Sequence, residues 1–359
     1  MNPAAAALVS CRVMVVDDSA VVRGMIVRML KDDPRIEVVA SCSNGEMAIA
    51  MAARKPLDVV ILDIEMPIMD GLTALPRLMA AAPNIRIIMA STLTHRNAAI
   101  SLKALALGAA DYVAKPTSDK LGGSESFRRD IVEKVVMLAR KRSSPISGPP
   151  PRFAVSRPAS RSGVGYPPRI IAIGSSTGGP QALLAVLPAL AAKVRCPIVI
   201  AQHMPATFTT VLAQHIERAS GRPCSEAVDG AEIRPGTICL APGDYHLEVS
   251  REGERCFAHL SQSAPENFCR PSVEPLFRSV AHHFGAESCA VVLTGMGADG
   301  CAGARDLAAL GAPVIAQDEA TSVVWGMPGA VANAGICSAI LPLDRIAGHL
   351  GGLFERSAA

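Results

Sequence analysis

Ser176 lies where an apolar run gives way to glycine, serine and threonine, an arrangement that suits acyl-transfer chemistry. The segment IIAIGSSTGGPQ (170–181) contains the spacing Gly174-x-Ser176-x-Gly178. This spacing matches a strand-turn-helix bend that exposes the hydroxyl of a nucleophilic serine. Glycine-rich turns can also cradle a phosphate, but the chain has no Walker A pattern, which disfavours a P-loop nucleotide site.

Candidate partners for Ser176 are a histidine and an aspartate that also follow strand-like runs. A serine becomes a nucleophile when a base removes its proton and a third group orients that base. His203 follows PIVIAQ, and Asp299 lies in TGMGADG directly after AVVLTG. His246 and Asp318 follow similar runs. Because triads occur in several chain orders, the residues alone leave these alternatives open.

The first half of the chain places carboxylates, a hydroxyl and an ammonium at the ends of strand-like runs. Asp17 and Asp18 follow the first run, Asp63 follows the third, Ser91 ends the fourth and Lys115 follows the fifth. The carboxyl ends of parallel strands meet at one edge of a sheet. Clustered carboxylates there suit a hard cation such as Mg²⁺, and one carboxylate beside it can accept a phosphoryl group. Ordinary helix caps and loop carboxylates are the alternative.

Both halves alternate short β-branched runs with helical patterns, which predicts an α/β fold with two doubly wound parallel-sheet domains. The first-half runs are RVMVV (12–16), IEVVA (36–40), DVVIL (58–62), IRIIMA (85–90) and DYVA (111–114). The second-half runs are RIIAI (169–173), CPIVIAQ (196–202), GTICLA (236–241), CAVVLTG (289–295) and APVIAQ (312–317). Residues 143–168 contain seven prolines and no acidic residue, which is typical of a semi-extended linker. The predicted domains span 11–140 and 169–350.

The composition excludes several classes of protein. An aromatic content of 3% and a net charge of +3 disfavour a nucleic-acid-binding surface. The uncharged stretch 170–192 has GSSTGGPQ near its centre, which disfavours a lipid-facing helix. The ten cysteines include no C-x-x-C pair, and the short apolar run that begins the sequence contains no Lys or Arg before Arg12. We therefore expect reduced, mostly buried thiols in a cytoplasmic protein.

The first half resembles the receiver domain of two-component response regulators. The resemblance rests on VDDSA (16–20), LDIEMPIMDG (62–71), Ser91 and the Lys115-Pro116 pair. It implies a flavodoxin-like fold in which a histidine kinase phosphorylates Asp63. It further implies that Asp17, Asp18 and Asp63 hold Mg²⁺, that Ser91 and Lys115 contact the phosphoryl group, and that the Lys115-Pro116 bond is cis.

The second half resembles the Rossmann-like catalytic domain of the chemotaxis protein-glutamate methylesterases, the CheB family. The matching motifs are IGSSTGGP, AQHMP, APGDYH, RPSVEPLF, LTGMGADG and QDEATSVVWGMPGAV, in family order. The resemblance implies that Ser176 is the nucleophile, His203 the base and Asp299 the group that orients it. It also implies an oxyanion site formed by the backbone N–H groups of Thr177 and Met296. One departure is a cysteine in ENFCRPSVE, at position 269, where the family pattern leads us to expect a histidine.

The implied substrate is a glutamate γ-methyl ester on the cytoplasmic part of a chemoreceptor, with methanol released and no cofactor needed for ester hydrolysis. Deamidation of receptor glutamines would use the same site. We expect the unphosphorylated receiver to cover the catalytic crevice and a phosphate on Asp63 to shift this arrangement. Two alternatives stay open: an adaptor that has lost catalysis, and a hydrolase that acts on another methylated protein.

Overall fold

The structure is a computed structural model that describes residues 10–115, 123–140 and 167–355. The chain divides into two compact units, with the division after Ser147. Almost all of the predicted linker (143–168) lies outside the described residues. Pro116 also lies outside them, so the geometry of the Lys115-Pro116 bond stays a prediction.

The first unit contains a five-stranded parallel sheet in the order β2-β1-β3-β4-β5. Its strands are β1 (Cys11–Val16), β2 (Ile36–Cys42), β3 (Val59–Asp63), β4 (Arg86–Ser91) and β5 (Asp111–Ala114). The two central strands are buried along almost their whole length, as expected of a parallel sheet covered on both faces. All five predicted strands are confirmed.

The helices of the first unit begin at side chains that cap their free N–H groups. They are α1 (Ala20–Lys31), α2 (Gly45–Ala52), α3 (Gly71–Ala81), α4 (His95–Ala106) and α5 (Gly123–Arg140). Ser19, Asn44, Asp70 and Thr94 each accept a hydrogen bond from a backbone N–H in the first turn, and such a cap stabilises a helix by about 1 kcal/mol. Helix α1 packs against α5, whereas α3 contacts α2 and α4. The sheet is thus covered on both faces.

The second unit contains a seven-stranded parallel sheet in the order β14-β13-β12-β6-β7-β9-β8. Its strands are β6 (Ile170–Ser175), β7 (Ile198–Gln202), β8 (Cys224–Glu226), β9 (Ile238–Leu240), β12 (Ser288–Val292), β13 (Val314–Gln317) and β14 (Ala339–Leu341). The five predicted strands are confirmed. The two edge strands β8 and β14 escaped prediction because three residues are too few to show periodicity.

An antiparallel hairpin of β10 (His246–Glu252) and β11 (Arg255–Ser261) accompanies this sheet and was not predicted. The helices are α6 (Gly179–Ala191), α7 (Ala206–Ser220), α8 (Val273–Phe284), α9 (Cys301–Ala309), α10 (Met327–Asn333) and α11 (Leu343–Glu355). Helix α8 packs against α9, β6 and strand β10. The resulting core joins Ile170 and Ala172 of β6 to Phe277 of α8 and Leu307 of α9.

In both sheets the strand order reverses at the first strand of the unit, which has later strands on both of its sides. Strand β1 has β2 on one side and β3 on the other, and β6 lies between β7 and β12. The loops that leave such neighbouring strands diverge and open a crevice at their carboxyl ends, where ligands of doubly wound folds bind. The polar residues singled out in the sequence follow these strands.

Candidate active site and phosphorylation site

Ser176 lies directly after β6 and is held by its backbone on both sides. Its N–H donates to the carbonyl of Thr294 at 3.1 Å, and its carbonyl accepts from the N–H of Gly179 at 2.7 Å. Gly178 has φ of 74°, a conformation that glycine adopts without steric cost. A Cβ on Gly179 would lie 2.0 Å from Oε1 of Gln202. The two glycines therefore permit the tight turn that presents the serine.

His203, directly after β7, joins Ser176 to Asp299. Its Nδ1 lies 3.1 Å from Oγ of Ser176, and its Nε2 lies 2.6 Å from Oδ2 of Asp299. An ionised carboxylate can only accept hydrogen bonds, so Nε2 carries the ring proton and Nδ1 turns its lone pair toward the serine. The structure thus brings the three candidates together in one hydrogen-bonded chain.

Asp299 is 2% exposed and accepts four hydrogen bonds. The donors are Nε2 of His203 (2.6 Å), the N–H of Val273 (2.6 Å), Oγ of Ser272 (2.7 Å) and Nδ2 of Asn267 (2.8 Å). Burial by itself would raise the pKa of this carboxyl, but the hydrogen bonds and the adjacent imidazole lower the pKa to about 2. Asp299 is therefore a fixed negative charge at neutral pH.

The ring of His203 also touches Cys269, whose Sγ lies 3.3 Å from Nδ1. Burial of the ring disfavours the imidazolium. Charge on Cys269 and the hydrogen bond to Asp299 outweigh burial and raise the pKa of His203 above its usual range. The residue that departs from the family pattern is therefore in direct contact with the candidate base.

The two alternative partners lie in other environments. His246 is fully buried, where its Nδ1 accepts from the N–H of Ser272 at 3.1 Å and its Nε2 lies 3.2 Å from the carbonyl of Ala264. Asp318 accepts from the N–H and the hydroxyl of Thr321. Both side chains hold local backbone in place, so the geometry favours His203 and Asp299.

The two segments that carry the predicted oxyanion donors adjoin the serine. Thr177 follows Ser176 at the start of the turn into α6, and Met296 follows Gly295. A Cβ on Gly295 would lie 2.9 Å from Cβ of Ser176, so the backbone that precedes Met296 runs against the serine. In the part of the chain that the structure describes, no acceptor takes the N–H of Met296.

The crevice of the first unit contains the predicted acidic cluster. Carboxylate oxygens of Asp17, Asp18 and Asp63 all lie within 4.8 Å of one another. The ammonium of Lys115 lies 2.7 Å from Oδ2 of Asp17 and 2.6 Å from Oδ1 of Asp63. Ser91 is buried and its Oγ accepts from Oγ of Ser101 at 3.2 Å. Asp17, Asp18, Asp63 and Lys115 therefore meet at this edge of the sheet, and Ser91 lies at the same edge as the last residue of β4.

Asp63 is 5% exposed, and its charge is poorly compensated. Burial raises the pKa of Asp63 to about 6 and the charge of Asp17 adds to this, although Lys115 opposes both. A divalent cation would relieve the repulsion among the three carboxylates, and their oxygens are the hard ligands that Mg²⁺ prefers. The donor set therefore fits Mg²⁺.

Sequence reasoning missed most of the groups that support the triad. Asn267, Ser272 and the N–H of Val273 hold Asp299, although they come from a segment far away in the chain. Gln202 accepts from Oγ of Ser175 and donates to the carbonyl of Ser176. The signals available were the RPSV run and the polar Gln202 at the end of an apolar strand.

Comparisons with known proteins agree with this architecture. The CheB methylesterase model matches residues 171–350, and the response regulator receiver model matches residues 13–122. A protein-glutamate methylesterase/protein-glutamine glutaminase 1 of Paramagnetospirillum magneticum is 52% identical over 94% of this chain and 94% of its own. A counterpart from Rhodospirillum rubrum is 53% identical with the same coverage.

A solved structure gives the same result for the second unit. The CheB methylesterase catalytic domain of Thermotoga maritima is 39% identical, covers 52% of this chain and all of its own, and aligns with a TM-score of 0.51. The fold and the two crevices define a receiver joined to an α/β domain with a Ser-His-Asp arrangement. The chain belongs to the CheB methylesterase family. Among the described residues, no helix is long and apolar enough to cross a membrane.

Proposed function

We propose that this chain hydrolyses glutamate γ-methyl esters on chemoreceptors and that Ser176, His203 and Asp299 carry out the reaction. The observation that carries the proposal is the imidazole of His203, which lies 3.1 Å from Oγ of Ser176 and 2.6 Å from Oδ2 of Asp299. This is the geometry that activates a serine hydroxyl. The relatives that share the architecture are named protein-glutamate methylesterase/protein-glutamine glutaminase.

The first half of the reaction transfers the acyl group to the enzyme. Oγ of Ser176 attacks the ester carbonyl while its proton passes to Nδ1 of His203. Asp299 holds Nε2–H and stabilises the imidazolium that forms. The proton then passes from Nδ1 to the departing methoxide, so methanol leaves and an acyl-serine ester remains.

The second half returns the enzyme to its starting state. Water attacks the acyl-serine and gives one proton to Nδ1 of His203. This proton returns to Oγ of Ser176 as the new glutamate departs. The N–H groups of Thr177 and Met296 stabilise the negative oxygen of both tetrahedral intermediates. A primary amide passes through a similar intermediate, so glutamine deamidation is the second proposed activity.

The receiver unit controls this reaction through phosphorylation of Asp63 by a histidine kinase. Asp17, Asp18 and Asp63 would hold Mg²⁺, which neutralises charge on the phosphoryl oxygens when it is bound. A carboxylate oxygen of Asp63 attacks the phosphorus of the kinase phosphohistidine, so that the O–P bond forms as the P–N bond breaks and the kinase histidine leaves. Lys115 and Ser91 contact the transferred group. The partners are thus a kinase and a cytoplasmic receptor segment, without nucleic acid.

Methanol release from methylated receptor fragments tests the proposal. It is measured for the wild type with and without Mg²⁺ and a small phosphodonor. We expect release to increase with the phosphodonor and the increase to vanish in Asp63→Asn. Ser176→Ala is expected to lose about 10⁶-fold in kcat, as in other serine hydrolases.

The control for Ser176→Ala is Ser225→Ala, since Ser225 is exposed on β8 of the same unit. Thermal unfolding shows whether each variant is folded. Substantial turnover by folded Ser176→Ala would exclude Ser176 as the nucleophile. No release by the wild type under any condition would leave an adaptor function or another methylated substrate.

A further inference from the structure

Cys269 lies at the same nitrogen of His203 as the candidate nucleophile. Sγ is 3.3 Å from Nδ1, and Oγ of Ser176 is 3.1 Å from it. Cys269 is held in place by its N–H, which donates to the carbonyl of Glu266 at 2.9 Å. Asn267, two residues earlier in the chain, donates to Asp299. The loop that holds the acid of the triad therefore also holds the thiol against the base.

Nδ1 of a neutral imidazole has a single lone pair and can accept one proton. When it accepts the proton of Ser176, the reaction proceeds. When it takes the proton of Cys269, the S–H bond breaks, an N–H bond forms at Nδ1, and a thiolate lies beside an imidazolium. Nε2 keeps its proton, so the ring then has no lone pair for the serine.

We propose that Cys269 competes with Ser176 for His203, and that the thiolate–imidazolium pair of Cys269 and His203 is an inactive state of the hydrolase. The inference rests on the proposed function, since it names what limits that reaction. Cys269 thus lowers the fraction of molecules in which the serine is activated.

The other cysteines provide a contrast. Eight of the ten are buried, namely Cys11, Cys42, Cys196, Cys224, Cys239, Cys256, Cys289 and Cys337. Burial raises the pKa of each of them, which favours an unreactive thiol. Cys301 is half-buried like Cys269, but burial raises its pKa too.

Few other charges act on the Cys269–His203 pair. Asp299 faces Nε2 on the opposite side of the ring and favours the imidazolium. Glu266 is paired with Arg278 through two hydrogen bonds. His246 is occupied by backbone groups on both ring nitrogens. Beside burial, the groups that act on the charge of the His203 ring are therefore chiefly Cys269 and Asp299.

Removal of the thiol should move the pH dependence of catalysis. Without the thiolate, the ring loses its proton at lower pH, so Cys269→Ala should have higher kcat/KM than the wild type at neutral pH. The gain should be about tenfold for each pKa unit of change, and it should vanish at high pH where the ring is neutral in both. Cys269→Ser keeps a donor without an ionising group, so its profile should follow that of Cys269→Ala.

The test combines this pH profile with a readout that needs no turnover. The ultraviolet absorbance of the thiolate is titrated in the full-length wild type, Cys269→Ala, Cys301→Ala and His203→Gln. We expect a thiolate signal that is absent from Cys269→Ala, unchanged in Cys301→Ala and moved to higher pH in His203→Gln. Mass spectrometry should show that iodoacetamide modifies Cys269 faster than Cys301, and that His203→Gln removes this difference.

Two results would overturn the inference. One is a Cys269 titration that is the same with and without His203. The other is a Cys269→Ala profile that differs from the wild type by a constant factor at every pH, which is the sign of a structural role. The two proposals can fail separately. If Ser176→Ala kept its methanol release, the proposed role of Ser176 would be wrong, but the absorbance titration would still show whether Cys269 and His203 exchange a proton.

Discussion

Asp63 and Asp299 are both buried aspartates at the carboxyl edge of a parallel sheet, yet their pKa values move in opposite directions. The pKa of Asp63 is raised to about 6, and that of Asp299 is lowered to about 2. Burial favours the neutral form of both carboxyls. The difference must therefore come from the groups around each one.

Asp299 accepts four hydrogen bonds and lies against the imidazole of His203, whereas Asp63 has two donors and faces the charge of Asp17. The N–H of Ile64 and the ammonium of Lys115 are the donors to Asp63. A carboxylate with satisfied lone pairs is a poor nucleophile and a good anchor for an imidazole. A carboxylate whose ionised form is destabilised by burial and by a neighbouring negative charge is stabilised when a cation binds beside it. The comparison shows how hydrogen bonds and neighbouring charges set the pKa of a buried aspartate.

Asp299→Asn should have the largest effect on this comparison, about a 10⁴-fold loss of kcat. An amide has one acceptor oxygen for four donors, and its NH₂ group would face Nε2 of His203. The ring would then carry its proton on Nδ1, the nitrogen that must accept from Ser176. Methanol release measures the loss, and Asp318→Asn is the matched control because Asp318 also follows a strand of the same sheet. Equal losses in the two variants would contradict the assignment.

Asp63→Asn should stabilise the first unit by roughly 2 to 3 kcal/mol at neutral pH without Mg²⁺. The folded state then no longer has to ionise a carboxyl whose pKa is raised from 3.8 to about 6. The gain should be complete above the folded value and disappear as the pH falls below the ordinary one. Calorimetric unfolding of the full chain in EDTA measures it. Asp18→Asn is the control: Asp18 is the exposed member of the cluster, and its replacement should change the free energy of unfolding little. If Asp63→Asn were stabilised at low pH by as much as at neutral pH, this explanation would be excluded.

Gly71→Ala and Gly179→Ala should each destabilise their own unit by about 1 to 3 kcal/mol, since neither position has room for a methyl group. A Cβ on Gly71 would lie 2.0 Å from the backbone carbonyl oxygen of Asp63, and one on Gly179 would lie 2.0 Å from Oε1 of Gln202. Gly24→Ala is the control: its Cβ would meet nothing within 4 Å, and it should stabilise α1 by about 0.5 to 1 kcal/mol. Thermal unfolding measures the stability of the three variants, and we expect Gly24→Ala to be the most stable. A Gly71→Ala protein as stable as Gly24→Ala would contradict the packing argument.

The long parallel strands and the residues that follow them could be predicted from the sequence, because a buried strand is a continuous apolar run and a site residue breaks that run. Ser176, His203 and Asp63 stand at such breaks, so the pattern of residue types was enough to single them out. The hairpin β10–β11 and the short edge strands β8 and β14 could not be predicted, since their patterns are weak or brief.

The sequence by itself determined the two parallel-sheet units, the family and the candidate residues, because periodicity and motif spacing are local properties of the chain. Only the tertiary structure shows that His203 lies between Ser176 and Asp299 while His246 is bonded to backbone groups, because the two histidines differ in what surrounds them in space. The same holds for the four donors to Asp299 and for the contact between Cys269 and His203. These contacts join segments tens of residues apart, and hydrogen bonding and burial at that range arise only when the sheet brings its strand ends together.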